Sequence, residues 1–540
     1  MAALTGTSVG DVVGYQIRDE RRIGPATRIE VVTEGVLTRR LQADPELPGV
    51  GLVIFDEVHE RNVFTDLGMA FTLDVAAAIR PELRILAMSA TLDKGRLSAY
   101  LGTTGDDAGD ARASDRQGRT AMGSSRQYGA APVIESEGAH PVEIRWRPAA
   151  PPPSPRGRRR ARAQRTFDVT DLVVETVLAA IHSDDGDVLV FLPGIAEIMR
   201  ARAALVAGLG DRPIDVRPLA GALSRSEQDA ALMPSPAGRR RIVLATDIAE
   251  TSLTVEGVRV VVDSGLARTP RHDPNTGLTR LVTVSTSRDS AEQRAGRAGR
   301  TSPGVAYRLW SKIEHTSRLR QREPEILAVD PAGVVLELAA WGGTPRLLDT
   351  PARRPVEQAT ALLRDLGAVD AGGAITTAGR DMLGLPLHPR LARMVLDSPS
   401  TLACLLAALL DERDVLRGRS DELPVDIELR VRTLLGERDD RADRRAVETV
   451  IQRARDVARR AGITFDLERG GPDVVGRDDA ARLSGSARRP PSGGSVPTPV
   501  GQRGDDRPHR SDGERGVRHR RRPRRAPHTV AHPPGSRCGR

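Results

Sequence analysis

The chain has 540 residues, a formal net charge of +9 and 2% aromatic residues. This length is enough for several domains of roughly 100 to 200 residues each. The lack of a long apolar run and of an N-terminal signal pattern predicts a cytoplasmic protein outside any membrane. The two cysteines, Cys404 and Cys538, are far apart and lack metal-ligand spacing, so neither a disulfide nor a zinc site is predicted. Residues 476–540 contain 16 Arg and 6 acidic residues, a net +10 that leaves −1 elsewhere, so net charge alone does not argue for a nucleic-acid partner.

An apolar run at residues 51–55 ends in the acidic residues Asp56 and Glu57, followed by His59. A continuous apolar run of this length is typical of a strand buried on both faces of a parallel sheet. The acids then lie at the carboxyl end of the strand, where open α/β sheets bind ligands. Asp56 can hold Mg²⁺ through water, and Glu57 can orient and deprotonate a water that attacks a γ-phosphate. For a bare Asp-Glu pair, the alternative is a solvated acidic turn.

The first hundred residues alternate strands and helices. Besides the acidic strand, the pattern predicts four elements: strand 28–33, helix 34–41, helix 66–79 and strand 83–88. Such alternation implies parallel pairing through right-handed crossovers. Ser89 and Thr91, which follow the last strand, are therefore expected at the same sheet edge as Asp56 and Glu57. In other settings Ser-Ala-Thr would be a helix N-cap.

The segment 167–311 repeats this alternation. The predicted elements are strands 187–192, 241–245 and 258–262, and a β-hairpin within 271–287. The octapeptide 293–300 then follows. Its Gln293, Arg297 and Arg300 are expected close together at a helix start, with the two glycines leaving the arginines room to reach outward. Guanidinium groups are suited to clamping a γ-phosphate as arginine fingers; the alternative is an Arg-rich turn on a basic surface.

Six motifs carry a resemblance, in order and spacing: 33–35, 56–59, 89–91, 192–194, 246–254 and 293–300. They resemble the motifs of the DEAH-box superfamily 2 helicases, most closely the bacterial HrpB type, over residues 1 to about 465. The resemblance implies ATP and Mg²⁺ in a cleft between two RecA-like domains, with single-stranded RNA, or an RNA duplex with a single-stranded end, lying across both.

The resemblance also implies roles for individual residues. Ser89 and Thr91 would couple hydrolysis to strand movement, and His59 and Glu60 would link the acidic strand to the opposite domain. Contacts to the RNA backbone are implied for Thr33, Gly35, Gly194 and Thr246. Contacts to the nucleotide or across the cleft are implied for Asp247, Glu250, Gln293, Arg297 and Arg300. The predicted hairpin would be a strand-separating wedge.

The expected architecture is α/β, with two RecA-like parallel-sheet domains, the first incomplete, followed by a mostly helical winged-helix and ratchet region and a disordered basic tail. The expected boundaries are 1–147 for the first domain with a disordered insertion at 103–131, 148–165 for a linker, 166–322 for the second domain, 323–465 for the helical region and 466–540 for the tail. The Arg cluster in the linker could touch phosphates, but charge runs are usually solvated.

Two features depart from the family pattern. A phosphate loop ending in Gly-Lys-Ser/Thr is absent, since Lys94 and Lys312, the only lysines, stand in no such setting. The chain is therefore expected to begin downstream of that loop and to be a fragment of impaired activity or a non-catalytic RNA-binding remnant. From residue 467 onward the tail has no Phe, Trp, Tyr, Ile or Met and cannot form a core. It is either out-of-frame translation or a basic RNA-binding arm.

Overall fold

The structure is a computed structural model. It describes residues 1–17, 20–90, 94–102, 130–135, 140–148, 169–236, 238–250, 255–273, 278–412, 414–418 and 423–467. Thr91, the hairpin tip at 274–277, nearly all of the predicted insertion, most of the predicted linker and the predicted tail from 468 onward lie outside these residues.

The strands of the described residues are β1 (Val13–Gln16), β2 (Arg21–Arg22), β3 (Ile29–Val32), β4 (Leu52–Phe55), β5 (Arg84–Ala87), β6 (Val142–Trp146), β7 (Asp187–Phe191), β8 (Ile214–Leu219), β9 (Arg240–Ala245), β10 (Val258–Asp263), β11 (Leu266–Asp273), β12 (Leu278–Ser285) and β13 (Gly304–Arg308). The α-helices are α1 (Glu34–Ala43), α2 (Val63–Ala78), α3 (Lys94–Gly102), α4 (Val169–Ser183), α5 (Ile195–Leu209), α6 (Arg225–Leu232), α7 (Arg288–Gly296), α8 (Lys312–Ser317), α9 (Glu325–Ala328), α10 (Pro331–Trp341), α11 (Arg353–Asp365), α12 (Thr377–Gly384), α13 (Pro389–Asp397), α14 (Thr401–Asp411), α15 (Ile427–Leu434) and α16 (Arg444–Ala461).

The first region has two small sheets. One has the order β2-β1-β3, with β1 and β3 parallel, and the other is the parallel pair β4-β5. The register of the second pair runs from Leu52 opposite Arg84 to Phe55 opposite Ala87. Parallel pairing of this kind places the residues after β4 and the residues after β5 at one edge.

The acidic strand β4 is buried on one face only, so the prediction of burial on both faces is wrong. Val53 and Phe55 are 6% and 5% exposed, whereas Leu52 and Ile54 are 46% and 50% exposed. Helix α2 covers the buried face, where Gly68 leaves space for the ring of Phe55. Within the described part of the chain, no element covers the other face, and the outward side chains of β3 and β5 are likewise exposed.

The second region is a six-stranded, wholly parallel sheet in the order β6-β13-β10-β7-β9-β8. Its central strand β7 is buried on both faces: Val188 and Val190 pack into one hydrophobic core, and Leu189 and Phe191 into another. This sheet confirms the predicted parallel α/β fold. The outer strand β6 pairs with β13, which contradicts the predicted assignment of this strand to the first domain.

The predicted hairpin forms from β11 and β12, which pair antiparallel from Leu266 opposite Ser285 to Asp273 opposite Leu278. Beyond it, α9 and α10 pack on the first region rather than only on the helices that follow. Ile326 and Val334 share a core with Phe71 of α2, and the ring of Trp341 stacks on Phe71 at 4.4 Å. These helices therefore bring chain from beyond the second sheet back to the first region.

Helices α11–α16 form a separate core with parts of α10. Asp330, Thr376, Ser400 and Asp443 cap helix N-termini in this part of the chain. Cys404 is buried there as a thiol, and burial raises its pKa to about 11. None of the helices in the described ranges is long and apolar enough to cross a membrane.

Candidate functional site

The acidic residues lie at the carboxyl edge of β4 and β5. Met88, after β5, donates its backbone N–H to the Phe55 carbonyl and accepts one from Val58, so the chain beyond each strand is tied to the other. Glu57 has φ 51°, ψ 37°, a left-handed conformation that is uncommon outside glycine. Asp56 Oδ1 accepts the Glu57 backbone N–H at 2.8 Å. The turn is thus held in a strained geometry of the kind that collects at functional sites.

His59 connects the two strand ends. Its Nδ1 accepts the backbone N–H of Ala90 at 3.3 Å, so the ring proton is on Nε2. Nε2 lies 3.3 Å from Glu57 Oε2, near enough for attraction but not aligned as a hydrogen bond. The imidazole is 7% exposed, whereas the Glu57 carboxylate is 39% exposed. Neighbouring Ser89 is exposed at the same edge.

Arg61 fixes the turn from behind. It also has a left-handed φ of 54°, and its buried guanidinium donates to both oxygens of Asp66 and to Asp349. Its carbonyl accepts the backbone N–H of Glu325. The acidic turn is therefore attached to α9 and to the segment before α11. Sequence reasoning missed Arg61, since Asp349 is 288 residues away.

The octapeptide 293–300 ends a helix instead of starting one, because its first four residues are the last turn of α7 and a 3-10 helix follows at Arg297–Gly299. The predicted reason for its glycines also fails for Gly299. A Cβ there would lie 2.5 Å from the carbonyl oxygen of His140, so this glycine allows the backbone to approach β6 rather than giving an arginine room.

Arg294, which the sequence prediction did not single out, is the buried centre of this region. It is 1% exposed, and it donates to Glu250 Oε2 and Asp263 Oδ1, both at 2.9 Å, and to the Leu266 carbonyl. Its guanidinium also stacks on Phe191, 4.8 Å from the ring centre. Burial acts to lower the pKa of Arg294, but the two carboxylates outweigh burial and raise it.

Glu250 is the shared partner of the octapeptide. Its carboxylate accepts from Arg294, Ser290 and Arg322, and its carbonyl accepts from Arg297. Although burial acts to raise the pKa of Glu250, its charged partners, with Arg294 foremost, leave that pKa lowered. The residue expected to meet a nucleotide is thus already bound by protein groups.

The charge of Arg297 interacts with that of the acidic turn. The residue is buried, at 6% exposed. Burial lowers the pKa of Arg297 to about 10, and Arg300 adds to this shift, while the carboxylates of Glu57 and Glu250 oppose it. The structure therefore brings Glu57 of the first region and Arg297 of the second within range of one another's charge. Arg300 itself is exposed.

Two cavities lie where the regions meet. The smaller, about 20 Å³, is lined in part by His59, Ser290 and Gln293. The larger, about 330 Å³, is lined in part by Thr246 and Asp247, which follow β9. Together the two cavities collect the predicted residues 59, 246, 247, 250 and 293.

The remaining predicted residues lie elsewhere. Thr33 is exposed at the N-cap of α1, and Gly35 is in the first turn of that helix. Gly194 is buried at the N-cap of α5, where a Cβ would lie 2.7 Å from a guanidinium nitrogen of Arg268. None of these three lines either cavity. Among the residues that the structure describes, no group of three His, Cys, Asp or Glu side chains is arranged to hold a metal ion directly.

Comparisons with known proteins bear on the family and the fold. A family model described as the helicase conserved C-terminal domain matches residues 170–302. The chain is 41% identical over 430 residues to the ATP-dependent RNA helicase HrpB of Escherichia coli, covering 78% of this chain and 48% of HrpB. It is 34% identical over 402 residues to the ATP-dependent RNA helicase HrpA of the same organism, covering 73% of this chain and 28% of HrpA.

A solved structure is also similar. The crystal structure of the E. coli DExH-box NTPase HrpB matches with a TM-score of 0.66 and 36% identity, over 90% of this chain and 53% of that one. This chain spans about half the length of HrpB and less of HrpA. On its motifs, its fold and these similarities, the chain belongs to the DEAH-box helicase family.

Proposed function

We propose that the chain binds ATP with Mg²⁺ between the acidic turn and the octapeptide, and that it couples hydrolysis to movement along RNA. The observation that carries this proposal is the small cavity, which is lined by His59 and Glu60 of the acidic turn and by Gln293 of the octapeptide, so that two regions of the chain meet there. The charge of Glu57 also acts on the buried Arg297 guanidinium. A carboxylate that activates water and a guanidinium that stabilises transferred charge are the two groups that γ-phosphate hydrolysis needs on opposite sides.

The residues at the acidic turn fit a magnesium nucleotide. Carboxylate oxygens of Asp56 and Glu57 are ligands that Mg²⁺ accepts, commonly with waters between, and both follow a strand at its carboxyl edge. Mg²⁺ would neutralise phosphate charge there. Glu57 is more exposed than its neighbour His59, so it can reach a water, while His59 accepts the backbone N–H of Ala90, next to Ser89.

RNA is proposed to run past the large cavity. Thr246, an implied RNA contact, lines it at the end of β9, and contacts to the RNA backbone fix position without reading sequence. HrpB and HrpA are both named as ATP-dependent RNA helicases, which ties those two relatives to ATP and RNA. For this chain, both ligands belong to the proposal, with Thr33, Gly35 and Gly194 as further RNA contacts and Ser89 and Thr91 as the coupling residues.

A second candidate is RNA binding without hydrolysis. The settings of the two lysines favour this candidate. Lys94 pairs with Glu135 at 2.6 Å, and Lys312 begins α8. Neither lysine stands in a Gly-Lys-Ser/Thr loop. Without such a lysine, the β- and γ-phosphates lose a contact that P-loop enzymes use. Turnover is therefore expected to be low.

The test is Mg²⁺-dependent binding of a fluorescent ATP analogue. Arg297→Gln should weaken binding by roughly 10- to 150-fold, since one hydrogen bond to a charged group contributes about 1.5–3 kcal/mol. Arg202→Gln, an exposed change on α5, is the matched control and should bind as the unmodified chain does. Binding of RNA with no binding of the analogue by the unmodified chain would favour the second candidate.

A further inference from the structure

The two cavities share part of their lining. Glu60, Glu250 and Arg322 line both, so these three side chains form the partition between them. The small cavity has room for roughly one water molecule. The large cavity, at 330 Å³, is within the range of about 300–1,000 Å³ typical of small-molecule sites. A phosphate group can therefore enter only the large cavity as the structure stands.

The backbone just before Arg322 is firmly hydrogen-bonded, whereas the Arg322 side chain is held only loosely. The carbonyls of Leu319 and Arg320 accept the backbone N–H groups of Arg288 and Asp289, which pins this segment to the start of α7. The Arg322 side chain is 33% exposed, and its Nη2 lies 3.4 Å from Glu250 Oε1, the longest of the contacts to that carboxylate. Its location is thus fixed while its guanidinium can turn.

Glu250 does not depend on Arg322. Its Oε2 accepts from Arg294 at 2.9 Å, and its Oε1 also accepts from the Ser290 hydroxyl. Arg294 and Ser290 are themselves buried, at 1% and 6% exposed. If Arg322 turned away, the carboxylate would keep a charged partner and a hydroxyl, and the octapeptide would stay in place.

The charges that line the large cavity mean that an anion can bind there only with the help of Arg322. Among the residues that the structure describes, its lining includes three carboxylates, those of Glu60, Asp247 and Glu250, and one guanidinium, that of Arg322. A phosphate near three carboxylates is repelled unless a cation is beside it. A guanidinium has five N–H donors in a planar fork and can bind phosphate through two of them.

We propose that Arg322 binds a phosphate group in the large cavity. When the ligand arrives, the Arg322 guanidinium leaves the Glu250 carboxylate and contacts the phosphate instead. This inference rests on the proposed function, which supplies two phosphate ligands with the same chemistry, the RNA backbone and the nucleotide. Arg322 lies outside all six motifs of the sequence, so it adds a contact that the motif pattern does not contain.

The experiment compares Arg322→Gln with Arg320→Gln, a neighbouring exposed arginine as control. One arm measures binding of labelled single-stranded RNA at several salt concentrations, and the other measures binding of a fluorescent ATP analogue with Mg²⁺. We expect Arg322→Gln to weaken the binding of one of the two ligands by about tenfold, as for the loss of one hydrogen bond to a charged group. If that ligand is RNA, the salt slope should also fall by about one. Arg322→Lys should recover part of the loss, and thermal midpoints should match the control.

Either arm identifies the source of the phosphate. Unchanged affinity in both arms, relative to Arg320→Gln, overturns the inference while leaving the proposed function intact. If the unmodified chain binds only RNA, nucleotide binding fails as a proposal and the RNA arm alone decides on Arg322. If it binds neither ligand, the proposed function and this inference are both refuted.

Discussion

Replacing Arg294 with methionine should strongly destabilise the second region. Methionine replaces the aliphatic part of the arginine side chain but lacks the guanidinium, which contacts Glu250, Asp263 and the Leu266 carbonyl. Two carboxylates that are 4% and 2% exposed would then lose a buried cationic partner. Removing one partner of a buried ion pair costs about 3–5 kcal/mol. For a domain of this size, roughly 2–4 °C per kcal/mol gives a fall in Tm of roughly 6–20 °C.

The measurement is thermal and urea unfolding of the full chain, followed by circular dichroism. The matched variant is Arg294→Met with Glu250→Gln, which removes one of the abandoned charges. This double variant should be more stable than Arg294→Met alone, because the cost lies in the uncompensated carboxylates more than in the lost contact. A loss below about 1 kcal/mol for the single variant, or additive losses in the double variant, would refute the reasoning.

Two further predictions concern stability. Phe55→Ala should cost about 3–5 kcal/mol, whereas Ile54→Thr on the open face of β4 should change stability by no more than about 0.5 kcal/mol; similar losses for both, in urea unfolding, would show that the exposed face of β4 is covered in solution. Asp215 has its pKa lowered to about 2, mainly by the Arg239 guanidinium. A lowered folded pKa gives a stabilising effect that is complete above the ordinary value of about 3.9 and lost as the pH falls toward 2. The Tm difference between the unmodified chain and Asp215→Asn should therefore shrink over that interval, and a constant difference would contradict the assignment.

The strands show what a sequence pattern can and cannot establish. The apolar runs of β4 and β7 look alike, but β4 is buried on one face only, against the prediction, whereas β7 is buried on both faces. Sequence shows that a face is apolar but not what lies opposite it. Edge strand β8 was not predicted because it carries Asp215, Arg217 and Pro218, and proline is tolerated at a sheet edge where no ladder bond is required.

The site shows the same limit. The strand order predicted that Asp56, Glu57 and Ser89 share an edge, because parallel strands end together. Arg294 could not be told from Arg297 by residue type. Its one local signal is the spacing of four from Ser290, which puts both on one helix face, but their common partner Glu250 is 40 residues from Ser290. Arg61 and Arg322 depend on contacts that only the folded chain creates.

RNA-stimulated ATP hydrolysis by this chain tests the central claim most directly. The unmodified chain should show a low rate that RNA raises, and Glu57→Gln should abolish it, because the amide cannot accept a proton from the attacking water. Glu82→Gln, an exposed change after α2, is the matched control and should leave the rate unchanged. A rate that survives Glu57→Gln, or no RNA-stimulated hydrolysis by the unmodified chain, would contradict the account.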